Sequence, residues 1–289
     1  MKKFFAILMA LTMLLSLTAC GTKAEQPAPS QPEKQETPAE SAPELKELPK
    51  LTISAEKAEG RLPGGEYDLP EEVISMVEWN RTGAVGLLAE VDDVAFYALE
   101  GKESNPALLR WGDAQAVFDW WYSTPQAIEP ELWVYDVDSD GENEIVADCY
   151  GGSGTGVSLE YLYVVEKNDD SSLTSYGLTW DSLSETLDEQ LQTISMNGAT
   201  YVALGRELVD ISAALEDVKA EGVKVETVKA HLGPIVSYRP LDEGFACRFG
   251  VAVEGDGIPY LAMYVAEIEG VVRYEDGQFA LEDLHLLSM

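Results

Sequence analysis

Apolar and polar residues alternate with a period of two along much of this chain, and that period is typical of β-strands. The segment 157–166 is a clear example, with Ser158 and Glu160 on its polar face. Its apolar face consists of Leu159, Tyr161, Tyr163 and Val165. We therefore expect many short strands that bury one face.

Turn residues join several of these strands into predicted hairpins. The turns are expected at Asp92-Asp93, Asn197-Gly198 and Asp276-Gly277, the first between 85–90 and 94–99 and the last between 271–274 and 279–281. Two further strands, 133–135 and 145–150, flank an acidic loop. Strands that are neighbours in sequence are thus expected to pair antiparallel.

Two segments have the spacing of apolar residues that predicts a helix. In the first, Asp113 would be the N-cap. The residues on its inward face would be Ala114, Val117, Phe118 and Trp121. The second covers 212–221, with Ser212 as its cap, Leu215 and Val218 facing inward, and Gly222 beyond its end.

The predicted fold class is mainly β (α+β), with antiparallel hairpins and meanders and one or two short helices. Strands and helices do not alternate along the sequence, which disfavours a doubly wound enzyme or a periplasmic-type solute-binding fold.

The chain divides into three parts. Residues 1–19 contain two lysines and then an apolar run, as in a secretory signal peptide. Residues 20–50 hold six of the fourteen prolines among Ala, Glu, Gln, Ser and Lys, and predict a disordered tether. Residues 51–289 form the mainly β body, and two subdomains divided near residue 180 are an open alternative.

The charge of the chain excludes some classes of partner. With 19 Lys and Arg against 52 Asp and Glu, the formal net charge is −33, so binding to nucleic acid or to an anionic membrane surface through charge is disfavoured. Only two histidines are present, which disfavours a multi-histidine zinc site or a histidine-based catalytic triad. We assign no catalytic residue.

The end of the signal carries a specific motif, Leu17-Thr18-Ala19-Cys20-Gly21. This stretch resembles the bacterial lipobox, and the resemblance implies that Cys20 becomes the acylated first residue of the mature protein. It also implies a protein anchored by lipid to the outer face of the cell membrane, in a layout similar to surface lipoproteins of Gram-positive bacteria.

The acidic loop 136–144 places a carboxylate at positions 1, 3, 5 and 9 and a glycine, Gly141, at position 6. Like charges at every second residue favour a hard cation that takes oxygen ligands, and calcium is the predicted cofactor. The candidate ligands are Asp136, Asp138, Asp140, the carbonyl of Glu142, and Glu144. A helix-loop-helix site would need Glu at position 12, which is Ala147 here, and the flanking segments are predicted to be strands.

The loop resembles the calcium loops of FG-GAP and VCBS-type repeats, in which an Asp-rich loop joins two strands. In those repeats position 9 is commonly Asp, whereas this chain has Glu144. The sequence contains no second copy, so a complete propeller is not expected.

Other candidates have weaker support. Cys149 and Cys247 could form a disulfide or remain buried free thiols. The run 151–156 is rich in glycine, but no Lys follows and a strand comes next, so a hairpin loop or a close backbone contact is favoured over a phosphate site. Among the aromatic residues around the first predicted helix, Trp120 lies off the inward face and is the candidate ligand contact.

These observations predict a calcium-stabilised binding or adhesion module on the cell surface, with an envelope glycan or protein as its partner. The alternatives are an envelope hydrolase acting on glycan or peptide, which requires two carboxylates facing a cleft, and a purely structural envelope protein. The sequence indicates no oligomeric state.

Overall fold

The computed structural model describes residues 45–289, apart from residues 65, 84, 101–105, 123–127, 221, 224, 226, 257 and 259–262. The predicted signal peptide, Cys20 and most of the predicted tether lie outside the described residues. The described residues belong to one compact unit that is mainly β, as the fold class predicted.

The strands of the first half, in chain order, are β1 (Leu51–Ser54), β2 (Glu56–Glu59), β3 (Gly86–Val91), β4 (Val94–Ala98), β5 (Ala107–Trp111), β6 (Ala114–Phe118), β7 (Glu131–Tyr135), β8 (Glu144–Gly154) and β9 (Val157–Lys167). Those of the second half are β10 (Leu173–Leu178), β11 (Leu191–Met196), β12 (Ala199–Leu204), β13 (Glu207–Asp210), β14 (Lys229–Pro240), β15 (Phe245–Glu254), β16 (Tyr264–Glu275) and β17 (Gln278–Ser288). The helices are α1 (Met76–Thr82), α2 (Trp180–Asp188) and α3 (Ser212–Ala220).

The strands form three sheets. The largest has ten strands, and eight of them follow the order β1-β17-β16-β15-β14-β9-β10-β2. The other two form a branch, in which β8 pairs with the other edge of β9 and β7 pairs with β8. The other two are the four-stranded meander β3-β4-β5-β6 and the three-stranded meander β11-β12-β13. The ten-stranded sheet includes strands from both sides of residue 180, and the predicted split there stays a prediction.

Strand β8 is buried on both faces from Glu144 to Tyr150, and this part of the strand separates two apolar cores. Ile145, Ala147 and Cys149 pack with strands of the four-stranded meander, in the core around Phe96 and Trp120. Val146, on the opposite face, packs with β14–β17 and with apolar residues of α2 and α3. Burial on both faces explains why this strand is nearly continuous in apolar residues instead of alternating.

The predicted hairpins are confirmed: β3 pairs with β4, β11 with β12, and β16 with β17, all antiparallel. Asn197 and Asp276 adopt positive φ and are each followed by a glycine that does the same, as tight hairpin turns require. The strands on either side of the acidic loop are also confirmed as β7 and β8.

The helix predicted after Asp113 is wrong. Residues 114–118 form β6, which pairs with β5. The turn between these two strands contains Gly112, which adopts positive φ. The apolar spacing fits either structure, but pairing with β5 buries four of the five residues of β6, and that burial decides the outcome.

The second predicted helix is confirmed as α3, with Leu215 buried and Gly222 at positive φ beyond its end, but Ser212 is its first residue and not its cap. Helices α1 and α2 were not predicted. Ser75 caps α1, and Thr179 with Ser182 forms a capping box at the start of α2.

Both cysteines of the body are buried free thiols, Cys149 on β8 and Cys247 on β15. Of the two alternatives for this pair, the structure therefore has the one without a disulfide.

Candidate metal centre

The acidic loop connects β7 to β8, whose ends are held together by pairing of Tyr135 with Glu144. Ser139 and Gly141 adopt positive φ, at 64° and 97°, and so turn the chain sharply within six residues. Because the loop closes on itself, side chains that are two to eight residues apart in sequence are brought together.

Three carboxylates converge inside this loop. Asp136, Asp138 and Glu144 each offer an oxygen within 4.8 Å of the others. Calcium binds oxygen at about 2.3–2.6 Å, so two ligands on opposite sides of one ion are about 4.8 Å apart. The spacing of the three carboxylates therefore fits a single calcium ion.

Backbone amides of the loop hold each of these carboxylates in place. The N–H of Gly141 donates to Asp136 Oδ2 at 3.0 Å, and the N–H of Asp140 donates to Asp138 Oδ1 at 3.2 Å. The N–H of Val137 donates to Glu144 Oε2 at 2.9 Å. The carboxylates are thus oriented by the loop itself before any ion binds.

The charged groups that shift the pKa values of this cluster are acidic. Glu144 is only 4% exposed, and burial raises its pKa to about 7, with the charges of Asp138, Asp140 and Asp136 raising it further. Burial also raises the pKa of Asp138. Asp136 Oδ1 is buried and has no hydrogen-bond partner among the described residues. A bound cation would supply the missing partner and the missing positive charge.

The other two candidate ligands lie outside this three-carboxylate cluster. Asp140 Oδ1 accepts a hydrogen bond from the N–H of Glu142 at 2.7 Å, an arrangement that stabilises the turn. Ligation by Asp140 and by the carbonyl of Glu142 stays a prediction.

The cluster is close to a second acidic group from the ten-stranded sheet. Glu166, on β9, adds to the negative charge around Asp138 and accepts a hydrogen bond from the phenol of Tyr274 at 2.5 Å. Tyr274 is on β16, so the loop lies close to the strands that close the larger core. An ion in the loop would therefore stabilise a region where several strands meet.

The structure contradicts Trp120 as a ligand contact. Its side chain is 6% exposed, lies between the rings of Phe118 and Tyr163 at 5.0 and 4.5 Å, and donates from Nε1 to the hydroxyl of Ser175 at 3.1 Å. The error follows from the helix that was wrongly predicted here, because that helix would have turned Trp120 outward.

The neighbouring residue, Trp121, is the exposed tryptophan. It is 66% exposed, and its ring stacks on Tyr161 with centroids 6.4 Å apart and planes 20° apart. Its backbone N–H donates to the hydroxyl of Tyr163 at 2.9 Å. Sequence reasoning missed this residue because the predicted helix placed it on the inward face.

The glycine run forms the end of the β8–β9 hairpin, as the preferred interpretation predicted. A side chain at Gly151 would overlap the ring of Tyr161, so this glycine permits a close backbone contact. The run is flanked by strands and is not followed by a helix, so it lacks the helix N-terminus of a phosphate site.

Comparison of the chain with protein-family models, curated proteins and solved structures gives no match in any of the three. Among the described residues, no helix is both long enough and apolar enough to cross a bilayer.

Proposed function

We propose that this protein is a lipid-anchored protein of the outer face of the cell membrane, and that its β-rich body binds one structural calcium ion and serves as a binding or adhesion module. The observation that carries the proposal is the convergence of Asp136, Asp138 and Glu144 within 4.8 Å in a loop whose amides already orient them. The lipobox-like motif at Cys20, which follows a segment with the layout of a secretory signal peptide, supports the location.

The proposed ion has a structural role and takes no part in catalysis. Extracellular calcium modules bind with dissociation constants of roughly 10⁻⁴ to 10⁻³ M. At about 1 mM free calcium, such a site stabilises the fold by about 0.4 to 1.4 kcal/mol. That free energy corresponds to a rise in melting temperature of about 1 to 6 °C for a body of this size.

The proposed binding surface centres on Trp121, and an envelope glycan is its proposed ligand. A large aromatic side chain that is mostly exposed, yet held flat against Tyr161, offers an apolar face to the carbon–hydrogen side of a sugar ring. The calcium ion and the aromatic surface are separate features, so each is tested separately.

The calcium proposal is tested by thermal unfolding of the purified protein in 1 mM calcium and in chelator. We expect a lower melting temperature in chelator, and we expect Asp138→Ala to remove the difference. In chelator the variant should melt no lower than the wild type, because the substitution relieves repulsion among the three carboxylates.

The matched control is Glu142→Gln, which neutralises a charge in the same loop but leaves the proposed carboxylate ligands intact. It should keep the calcium-dependent difference. Identical melting curves of the wild type in calcium and in chelator would rule out the proposed role of calcium.

A further inference from the structure

The ten-stranded sheet forks at one edge of β9. Over its last residues β9 pairs with β10, from Leu162 to Lys167, but near its start it meets β14 through a single bridge between Ser158 and Ile235. The opposite edge of β9 is occupied by β8 from Val157 to Val165. Glu160 lies between these two pairings, at the point where β14 leaves β9.

The side chain of Glu160 takes the place of the missing backbone partner. Its Oε2 accepts a hydrogen bond from the N–H of Tyr238 on β14 at 2.9 Å. In a continuous sheet this N–H would donate to a backbone carbonyl of the neighbouring strand. The carboxylate of Glu160 is therefore part of the connection between β9 and β14.

A second carboxyl group, Asp148 on β8, contacts the first. Asp148 is diagonal to Glu160 across the β8–β9 pair and on the same face of it, which places the two carboxyl groups within reach of a hydrogen bond. Asp148 is 9% exposed, and its Oδ1 has no partner among the described residues. Two carboxyl groups can form such a bond only when one of them keeps its proton.

The surroundings of Asp148 and Glu160 favour the form of the pair that keeps one proton. The titratable and charged groups around the pair are Glu131 on β7, Cys149 on β8, Tyr161 on β9, Tyr238 and Arg239 on β14, and Cys247 on β15. Only Arg239 is positive, and it is exposed. The phenol of Tyr238, which is 2% exposed, has no hydrogen-bond partner among the described residues.

We propose that Asp148 and Glu160 share one proton and thereby link β8, β9 and β14, so that loss of this proton at alkaline pH loosens the fork of the sheet. Asp148 donates the shared proton to Glu160, and Glu160 accepts from the N–H of Tyr238. Without the proton, two adjacent carboxylates repel each other and the hydrogen bond between them is lost. This shared proton responds to pH alone, and the proposal is independent of the calcium proposal.

Burial raises the pKa of Asp148, and the charges of Glu160 and Glu131 raise it further. Burial also raises the pKa of Glu160, although the N–H of Tyr238 and the charge of Arg239 oppose that rise. In the unfolded chain a carboxyl group loses its proton near pH 4. The folded state therefore holds a proton that the unfolded state has lost, and stability falls as pH rises from about 4 until the shared proton is released.

The experiment compares wild type with Asp148→Asn in calcium-containing buffer from pH 5 to pH 9. Asparagine keeps a donor toward Glu160 but cannot titrate. We expect the stability of the variant relative to the wild type to increase with pH. Over the same range we expect the hydrogen-exchange protection of Tyr238, corrected for intrinsic exchange at each pH, to fall about tenfold or more in the wild type only.

Two further variants complete the test. Glu160→Gln keeps an acceptor for the N–H of Tyr238 and removes the carboxylate that would repel Asp148. It should therefore also abolish the fall in the protection of Tyr238, so the test does not depend on a single variant that folds. Asp113→Asn, in the exposed β5–β6 turn, should behave as the wild type. A protection of Tyr238 that changes equally with pH in the wild type and in both pair variants would overturn the proposal.

Discussion

Adjacent residues Trp120 and Trp121 occupy opposite environments. Trp120 is stacked between Phe118 and Tyr163 in the core of the four-stranded meander, and Trp121 lies outside, against Tyr161. The hydrogen bond from the N–H of Trp121 to Tyr163 fixes the backbone where the two side chains diverge. One tryptophan therefore contributes to stability, and the other is available to a ligand.

Truncating each tryptophan should separate these roles. Trp120→Ala should lower the free energy of unfolding by about 3 to 5 kcal/mol, because it removes a buried ring and leaves the hydroxyl of Ser175 without its donor. Trp121→Ala should cost at most about 1 kcal/mol, since it removes only one exposed stacking contact. Chemical denaturation of both variants measures these differences.

The same pair of variants tests the glycan surface. Binding to purified peptidoglycan should fall at least about tenfold in Trp121→Ala. Leu62→Ala, which removes a residue exposed to 84% elsewhere on the chain, should bind as the wild type does. Equal binding by Trp121→Ala and the wild type would refute the aromatic surface and leave the calcium proposal intact.

The β8–β9 hairpin contributes residues to the proposed calcium site, to the proposed carboxyl pair and to the proposed aromatic surface. Glu144, at the start of β8, belongs to the carboxylate cluster, and Asp148 and Glu160 pair further along the same hairpin. Near its end, the ring of Tyr161 lies against the backbone of Gly151 and supports Trp121. The register of this one element thus sets the positions of several groups.

Two glycines of this hairpin should respond differently to the same substitution. Gly151→Ala should lower stability by about 1 to 3 kcal/mol, because the new methyl group would overlap the ring of Tyr161. Gly154→Ala meets no atom within 4 Å and should change stability little. Thermal unfolding of the two variants checks the difference, and equal effects would contradict the close contact.

Hairpins with specific turn residues and one capped helix could be predicted from the sequence, whereas helices α1 and α2 and the strand β6 could not. The turns at Asn197-Gly198 and Asp276-Gly277 and the helix α3 follow from residues that are close in sequence. Strand β6 was predicted as a helix because its apolar spacing fits both structures, and only its pairing with β5 distinguishes them. The error at Trp120 and Trp121 has the same origin.

The same distinction applies to the candidate sites. All three clustered carboxylates come from one loop of nine residues, so their convergence could be predicted from spacing alone. The Asp148–Glu160 pair depends on strand register and on the fork at β14, which join residues far apart in sequence. The only signal in the sequence was a lone acid, Asp148, between the apolar residues Ala147 and Cys149.

At the scale of the whole molecule, the net charge of −33 favours binding of cations in general. Diffuse attraction to an acidic surface is screened by salt, whereas a site built from oriented carboxylates is much less so. A specific calcium site is therefore distinguished from diffuse attraction by its fixed stoichiometry and by the loss of binding when one carboxylate is removed.

The proposed lipid anchor depends on a single thiol. Cys20→Ala removes the thiol that would carry the lipid. We expect the wild type to fractionate with membranes of the expressing bacterium and to incorporate a fatty-acid label, and we expect the variant to do neither. Labelling of the variant at the wild-type level would contradict the assignment of Cys20.

Equilibrium dialysis of radioactive calcium against the purified protein at about 0.15 M salt, for the wild type and for Asp138→Ala, measures the occupancy of the proposed site itself. We expect one ion per wild-type chain with a dissociation constant of roughly 10⁻⁴ to 10⁻³ M, and no saturable binding by the variant. Equal binding by the two proteins, or no saturable binding by the wild type, would contradict the proposed calcium site.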